Sequence, residues 1–219
     1  MSAFEQARRE MVERQLARRG IRDPRVLDAM ARVPREAFLP PALAPYAYDD
    51  RALPIDCGQT ISQPYVVALM IEALHLDPEA RVLEVGAGSG YAAAVLATLA
   101  AEVYAIERHP DLAEEASGRL ARLGYDNVVV RVGDGTLGWP EAAPFEGILV
   151  SAAAPEAPPS LLAQLMVGGR MVIPIGDAAF GQEVTRITKE DDGDVTREAL
   201  GGVRFVPLLG AEGWDASTT

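Results

Sequence analysis

The chain has 219 residues, 49% of them hydrophobic and 24% charged, enough for one domain with a substantial core and a terminal extension. A formal net charge of −12 weighs against a nucleic-acid enzyme, which needs a basic surface to meet phosphates. The single cysteine, Cys57, excludes an internal disulfide, and no apolar run approaches the ~20 residues of a membrane helix.

In chain order, residues 3 to 19 carry helical spacing through Phe4, Ala7, Met11 and Leu16, with Gly20 as the stop. Asp23-Pro24 reads as an N-cap followed by proline at the first helical position. Val26, Leu27, Met30 and Val33 form the next apolar stripe, which Pro34 ends. Prolines 40, 41, 45 and 54 mark an irregular stretch to about Thr60. Ser62-Gln63-Pro64 then reads as the capped start of a helix through Val67, Met70, Ile71 and Leu74, with Ser62 as N-cap. Beyond it, strand candidates at 81–85, 102–106, 127–132, 145–151 and 170–175 alternate with helical patterns at 90–100, 111–123 and 158–166. That alternation predicts an α/β, doubly wound, mostly parallel sheet with helices on both faces. Val184–Lys189 and Val203–Leu208 read as two further strands, with Asp191-Asp192-Gly193-Asp194 as the turn between them. The expected organisation is an N-terminal helical extension (1–78) packed on a core (79–214), together one compact domain. Residues 215–219 read as a disordered tail.

The richest stretch is Arg81–Tyr91, where the apolar run Val82, Leu83, Val85 breaks into Gly86, Gly88 and Gly90 before a helical pattern. Strand, glycine turn and helix make a nucleotide pocket in an open α/β sheet. A dinucleotide fingerprint requires glycine three residues after Gly88, and Tyr91 stands there. An acid, Glu84, stands two residues before the first glycine; it would repel a pyrophosphate and attract an ammonium. The combination resembles motif I of the S-adenosylmethionine-dependent methyltransferases, although a glycine turn in another α/β protein stays open on this motif alone. Glu107 ends the next strand pattern, where an acid accepts hydrogen bonds from ribose hydroxyls. Asp134, in Gly133-Asp134-Gly135, ends the third and suits an adenine amino group, with Gly135 letting the ring approach. No cluster suggests a metal ligand set. His75 and His109 read as surface residues.

Thr60-Ile61-Ser62-Gln63-Pro64, with Arg32–Pro40 upstream, resembles the protein-L-isoaspartate (D-aspartate) O-methyltransferases. The likeness continues through Leu83–Tyr91, Gly133–Gly135, Ala152–Pro155 and Arg204–Leu208, from about residue 7 to 214. The resemblance implies a seven-stranded sheet whose last two strands are exchanged relative to most methyltransferases. It implies that Ser62 is the active-site hydroxyl, that Thr60 and Ile61 hold the isoaspartyl main chain and carboxylate, and that Val206 lines the same pocket. The loop from Ile55 to Gln59, including Gly58 and Gln59, would lie beside the cofactor. The implied reaction takes methyl from S-adenosyl-L-methionine, leaves S-adenosyl-L-homocysteine, and initiates repair of damaged proteins and peptides through a succinimide. The expected setting is a cytoplasmic monomer with neither nucleic-acid nor membrane partners. The competing expectation is methylation of an aspartate in a dedicated peptide or of a small-molecule acid. Ala87 and Ala92 depart from the commonest family pattern and put cofactor affinity in doubt. So does Met166-Val167 before Gly168-Gly169, at a turn.

Overall fold

The computed structural model describes residues 2–177 and 179–215. The expected tail thus lies outside the described residues except for Asp215.

The N-terminal segment opens with α1 (Ala3–Met11), which continues through one π turn and one 3-10 turn to Gly20 in the left-handed conformation. The 3–19 helical reading therefore holds, with its last two turns distorted. Next comes α2 (Pro24–Arg32), capped by the Asp23 carboxylate on the Arg25 N–H at 2.7 Å, as its sequence predicts. A short hairpin of β1 (Leu53–Pro54) and β2 (Thr60–Ile61) precedes α3 (Pro64–Leu74). The cap reading of Ser62 is corrected here: Gln63 is the N-cap of α3, and no side chain caps it. Pro64 at the first position lacks an N–H, which removes one of the groups a cap would satisfy.

The core continues β3 (Arg81–Val85), α4 (Tyr91–Ala97), β4 (Glu102–Glu107), α5 (Pro110–Arg122), β5 (Val128–Val132), β6 (Phe145–Val150), α6 (Pro159–Gln164), β7 (Leu165–Asp177), β8 (Gly181–Lys189) and β9 (Val195–Val203). These strands form one seven-stranded sheet in the order β5-β4-β3-β6-β7-β8-β9. The first five are parallel, and β8 runs antiparallel to both neighbours. The expected edge strand at 203–208 lies instead at 195–203. The chain beyond it, Arg204–Leu208, leaves the β8 ladder and runs beside Ala153, with Ala153 N–H donating to the Val206 carbonyl at 2.8 Å.

Alternating strand residues divide the core between the sheet's faces. Val82, Val103, Leu149 and Val172 pack with Met11, Met30 and the other buried residues of the N-terminal helices in one cluster. Leu83, Ile106, Ile148 and Met171 pack with Leu161 and Leu208 in the other. Along the sheet, Val85 lies level with Ile106 and Val150, and Glu107 level with Val132. The turns leaving four strands therefore meet at the carboxyl edge of the sheet, where open α/β folds bind ligands.

Candidate active site

A cleft opens at that edge, lined by Glu84, Gly86, Gly88, Glu107 and Gly135 among others. The glycines are there for backbone reasons. Gly86 and Gly88 have φ of +87° and +53°, a conformation that L side chains rarely adopt. Gly135 is held by contact instead: a Cβ there would stand 2.4 Å from Val85 Cγ1. The loop after β1 closes on this turn, with Ile55 Cδ1 only 3.5 Å from where a Gly88 Cβ would sit.

Glu84 is 1% exposed, and its Oε2 has no hydrogen-bond partner. Burial, then the neighbouring Glu107 carboxylate, push the Glu84 carboxyl well above the ordinary carboxylate range. An unpaired buried carboxyl is costly unless something meets it. An ammonium entering the cleft is the group that fits, so the residues suit an aminocarboxylate-bearing cofactor. Glu107 is held by its own backbone surroundings: Oε2 accepts from the Gly88 N–H at 2.8 Å and Oε1 from the His109 N–H at 3.0 Å. Each oxygen keeps a second lone pair, and the side chain lines the cleft, as a diol acceptor must.

Three of the expected cofactor residues lie outside the cleft lining. Gly90 is the N-cap of α4, and the position of its absent Cβ lies 3.3 Å from both Ala116 and Leu120, so it lets α4 and α5 approach. Gly58 (φ +67°) turns the loop, while its neighbour Gln59 supplies the lining side chain. Asp134 faces an adjoining hollow with Gly133 and Trp214. Its Oδ1 accepts from the Thr136 N–H and hydroxyl, and its Oδ2 from the Ala211 N–H at 2.8 Å. Burial opposes its charge, but those bonds and Arg108 outweigh it, leaving the carboxyl below its usual range. Arg108 and Leu209 line both the cleft and this hollow, so the two are continuous. The Asp134 carboxylate is thus open to a ligand only from that side. Ala87 and Ala92 do line the cleft, which makes both departures wall positions.

A second hollow meets the cleft on its other flank. Thr60, Ser62, Ser151 and Val206 line both, while Ala52 and Phe205 line the second alone. The expected active-site hydroxyl and three neighbours are therefore the partition between two spaces. Ile61, expected on the substrate side, is buried and lines the cleft only. Ser62 is half-buried, and its hydroxyl makes no hydrogen bond among the described residues. Val206 is brought here by a clasp that the sequence does not reveal. The buried Gln182 amide accepts from the Phe205 N–H at 2.6 Å and donates to the Phe205 carbonyl at 3.2 Å. The cleft is also lined by Ser151 and Arg108; each directly follows the end of an apolar strand, which is the sequence signal that marks it.

The family model for protein-L-isoaspartate(D-aspartate) O-methyltransferase matches residues 6–213. The chain is 54% identical over 209 residues to the protein-L-isoaspartate O-methyltransferase of Protochlamydia amoebophila, covering 95% of this chain and all of the relative. It is 58% identical over 208 residues to protein-L-isoaspartate O-methyltransferase 2 of Pelobacter propionicus, covering 94% and 92%. A solved protein-L-isoaspartate O-methyltransferase superposes with TM-score 0.82 at 32% identity, over 94% of this chain and 67% of that one. A Plasmodium falciparum structure described as a putative member, in complex with S-adenosyl-L-homocysteine, superposes with TM-score 0.80 at 29% identity, over 92% of this chain and 98% of that one.

Proposed function

The chain belongs to the protein-L-isoaspartate(D-aspartate) O-methyltransferase family, and from that premise we propose how its residues divide the reaction. It methylates the α-carboxylate of isoaspartyl residues with S-adenosyl-L-methionine as donor. We assign D-aspartyl residues to the same acceptor set. When bound, the cofactor supplies a methyl group on a cationic sulfonium. Glu84 holds its ammonium, Glu107 its ribose hydroxyls, and Gly86, Gly88 and Gly135 give it backbone clearance. Gln59 closes over it from the loop that Gly58 turns. Gly90 acts by packing α4, and Asp134 borders the adenine end.

The position of Ser62 between the two hollows carries this reading. The acceptor enters the second hollow, against Thr60 and Val206, while buried Ile61 backs Ser62 from the cleft side. A free α-carboxyl has a pKa of roughly 3.5 and is ionised at neutral pH, so no general base is required. Among the described residues no histidine lines either hollow, consistent with that economy. Methyl transfer to a carboxylate annihilates charge, so alignment rather than a polar cage supplies the rate. The Ser62 hydroxyl donates to one carboxylate oxygen and leaves the other facing the cleft. The resulting ester is attacked by the following backbone nitrogen, methanol leaves, and hydrolysis of the succinimide restores part of the normal linkage.

We infer a monomer, since residues of a single chain line both hollows. A single cysteine in 219 residues supports a cytoplasmic setting. Among the described residues no helix is long and apolar enough to cross a membrane. Methyl transfer to a matched isoaspartyl and aspartyl peptide pair tests the acceptor: the isoaspartyl peptide is expected to be favoured, and preference for the aspartyl peptide would replace repair with modification of a dedicated peptide. Ser62→Ala is expected to lower turnover with S-adenosylhomocysteine affinity nearly intact; unchanged turnover would remove the serine from its role.

A further inference from the structure

The Arg32–Pro40 motif touches neither hollow, yet it contains the one charged residue with no exposure at all among the described residues. Arg35 is 0% exposed among the described residues. Its Nε donates to the Ala47 carbonyl at 2.8 Å and its Nη2 to the Ser62 carbonyl at 2.8 Å. The guanidinium carbon lies 4.8 Å from the centre of the Tyr91 ring, within cation–π range. Phe38, one 3-10 turn on, meets the same ring edge-on at 5.6 Å.

The two residues so joined are the first residue of the donor-side helix and the partition between the two hollows. Tyr91 is the first residue of α4, immediately after the glycine turn, and lines the donor cleft. Ser62 stands between the end of β2 and the N-cap of α3, so neither a strand ladder nor a helical turn holds its carbonyl. β2 itself is two residues long, paired only to Leu53–Pro54. Arg35 is the group that meets the Ser62 carbonyl, between the Ile61–Leu53 pairing on one side and the Gln63 side chain on Asp50 on the other, and its planar fork spans two carbonyls in a way that a lysine ammonium cannot.

We propose that Arg35 is a positioning residue for methyl transfer: it holds the Ser62 carbonyl while seated on Tyr91, and so sets the serine's register against the donor cleft. The inference rests on the Ser62 reading above.

The test is a double-mutant cycle of Arg35→Lys and Ser62→Ala, with kcat and KM measured on an isoaspartyl peptide. Rates are scaled to the calorimetric stoichiometry of S-adenosylhomocysteine, so unfolded protein is not counted. Arg35→Lys alone is expected to lower kcat about tenfold, as misplacement of a reacting group does, with peptide KM and S-adenosylhomocysteine affinity changed less than about threefold. In the Ser62→Ala background the same substitution is expected to cost less than about twofold, because the group it positions is gone. Equal loss in both backgrounds, or no loss in the parent, would overturn the proposal while leaving Ser62 in place. Full turnover by Ser62→Ala alone overturns the Ser62 reading and the inference with it. If Arg35→Lys does not accumulate, Arg35→Gln, which buries no charge, replaces it. Failure of both to bind S-adenosylhomocysteine one to one would make Arg35 a folding residue and overturn the proposal.

Discussion

One wall of the donor cleft is built from the ends of four parallel strands. Gly86 follows β3, Glu107 ends β4, Gly135 comes after β5 and Ser151 follows β6. The acceptor hollow has no such common origin. Thr60 and Ser62 come from a two-residue strand and its exit, Val206 comes from a segment that has left the sheet, and Ser151 is borrowed from the donor side. The donor side is held mainly by a hydrogen-bonded ladder, with the Glu107 carboxylate bracing its turns. The acceptor side is held by side chains reaching into backbone: Arg35 into Ser62, and Gln182 into Phe205. A ladder spreads the effect of one substitution over many bonds, whereas a clasp concentrates it. The two halves should therefore fail differently.

The largest separation is expected from Glu84→Gln. It should weaken S-adenosylhomocysteine binding on the order of 100-fold, about 3 kcal/mol for a charged hydrogen bond. Calorimetry measures the affinity. The ligand-free protein should melt no lower than its parent, because the substitution removes a buried acid with an unpaired oxygen. A fall in melting temperature with unchanged affinity would show Glu84 to be structural.

The same residue gives a pH dependence. The folded Glu84 carboxyl is raised relative to the unfolded chain. Its contribution to the stability of the ligand-free protein is thus present at low pH and lost as pH rises through the raised value. A cationic partner favours the ionised form, so binding releases a proton below that value. Affinity for S-adenosylhomocysteine should strengthen with rising pH, with binding enthalpies that depend on buffer ionisation, and Glu84→Gln should flatten both.

On the acceptor side, Gln182→Leu strips the half-buried Phe205 backbone of both side-chain partners, at about 0.5–1.5 kcal/mol for each hydrogen bond lost. Peptide KM should rise with S-adenosylhomocysteine affinity unchanged; the reverse would move Phe205 to the donor half. Gly135→Ala should cost about 1–3 kcal/mol by overpacking against Val85, read as a lowered melting temperature, and should weaken the donor alone. The smallest effect is expected from Phe180→Ser, at 95% exposure, with less than about 0.5 kcal/mol in thermal unfolding.

Local pattern was enough where neighbours in sequence are neighbours in space. Strand β3 falls at 81–85 as its apolar run predicts, and Glu107 ends β4 at the sheet edge. The misplaced strand shows the opposite case. Val195–Val203 is an edge strand with most of its residues exposed, so it carries no apolar alternation to read. Val206 and Leu208 are apolar at positions that pack into the core beside β6 rather than pair in the β8 ladder. Ser-x-Pro has the look of a capped helix start, but Gln63 is the N-cap, and only the assembled site places Ser62 at the partition.

The sequence by itself determined the alternating α/β core, the glycine turn and the acids at the strand ends, since each depends on residues a few positions apart. Its motifs pointed to Ser62, but through resemblance rather than spacing. Tertiary structure alone decided that Gly90 packs α4 rather than lining the cleft. It also turned Asp134 to the adjoining hollow, and left Arg35 and Gln182 to hold the acceptor residues. Those outcomes depend on side chains meeting backbone 23 to 77 residues away, or on α5 side chains meeting the turn before α4, and no local pattern encodes such a contact.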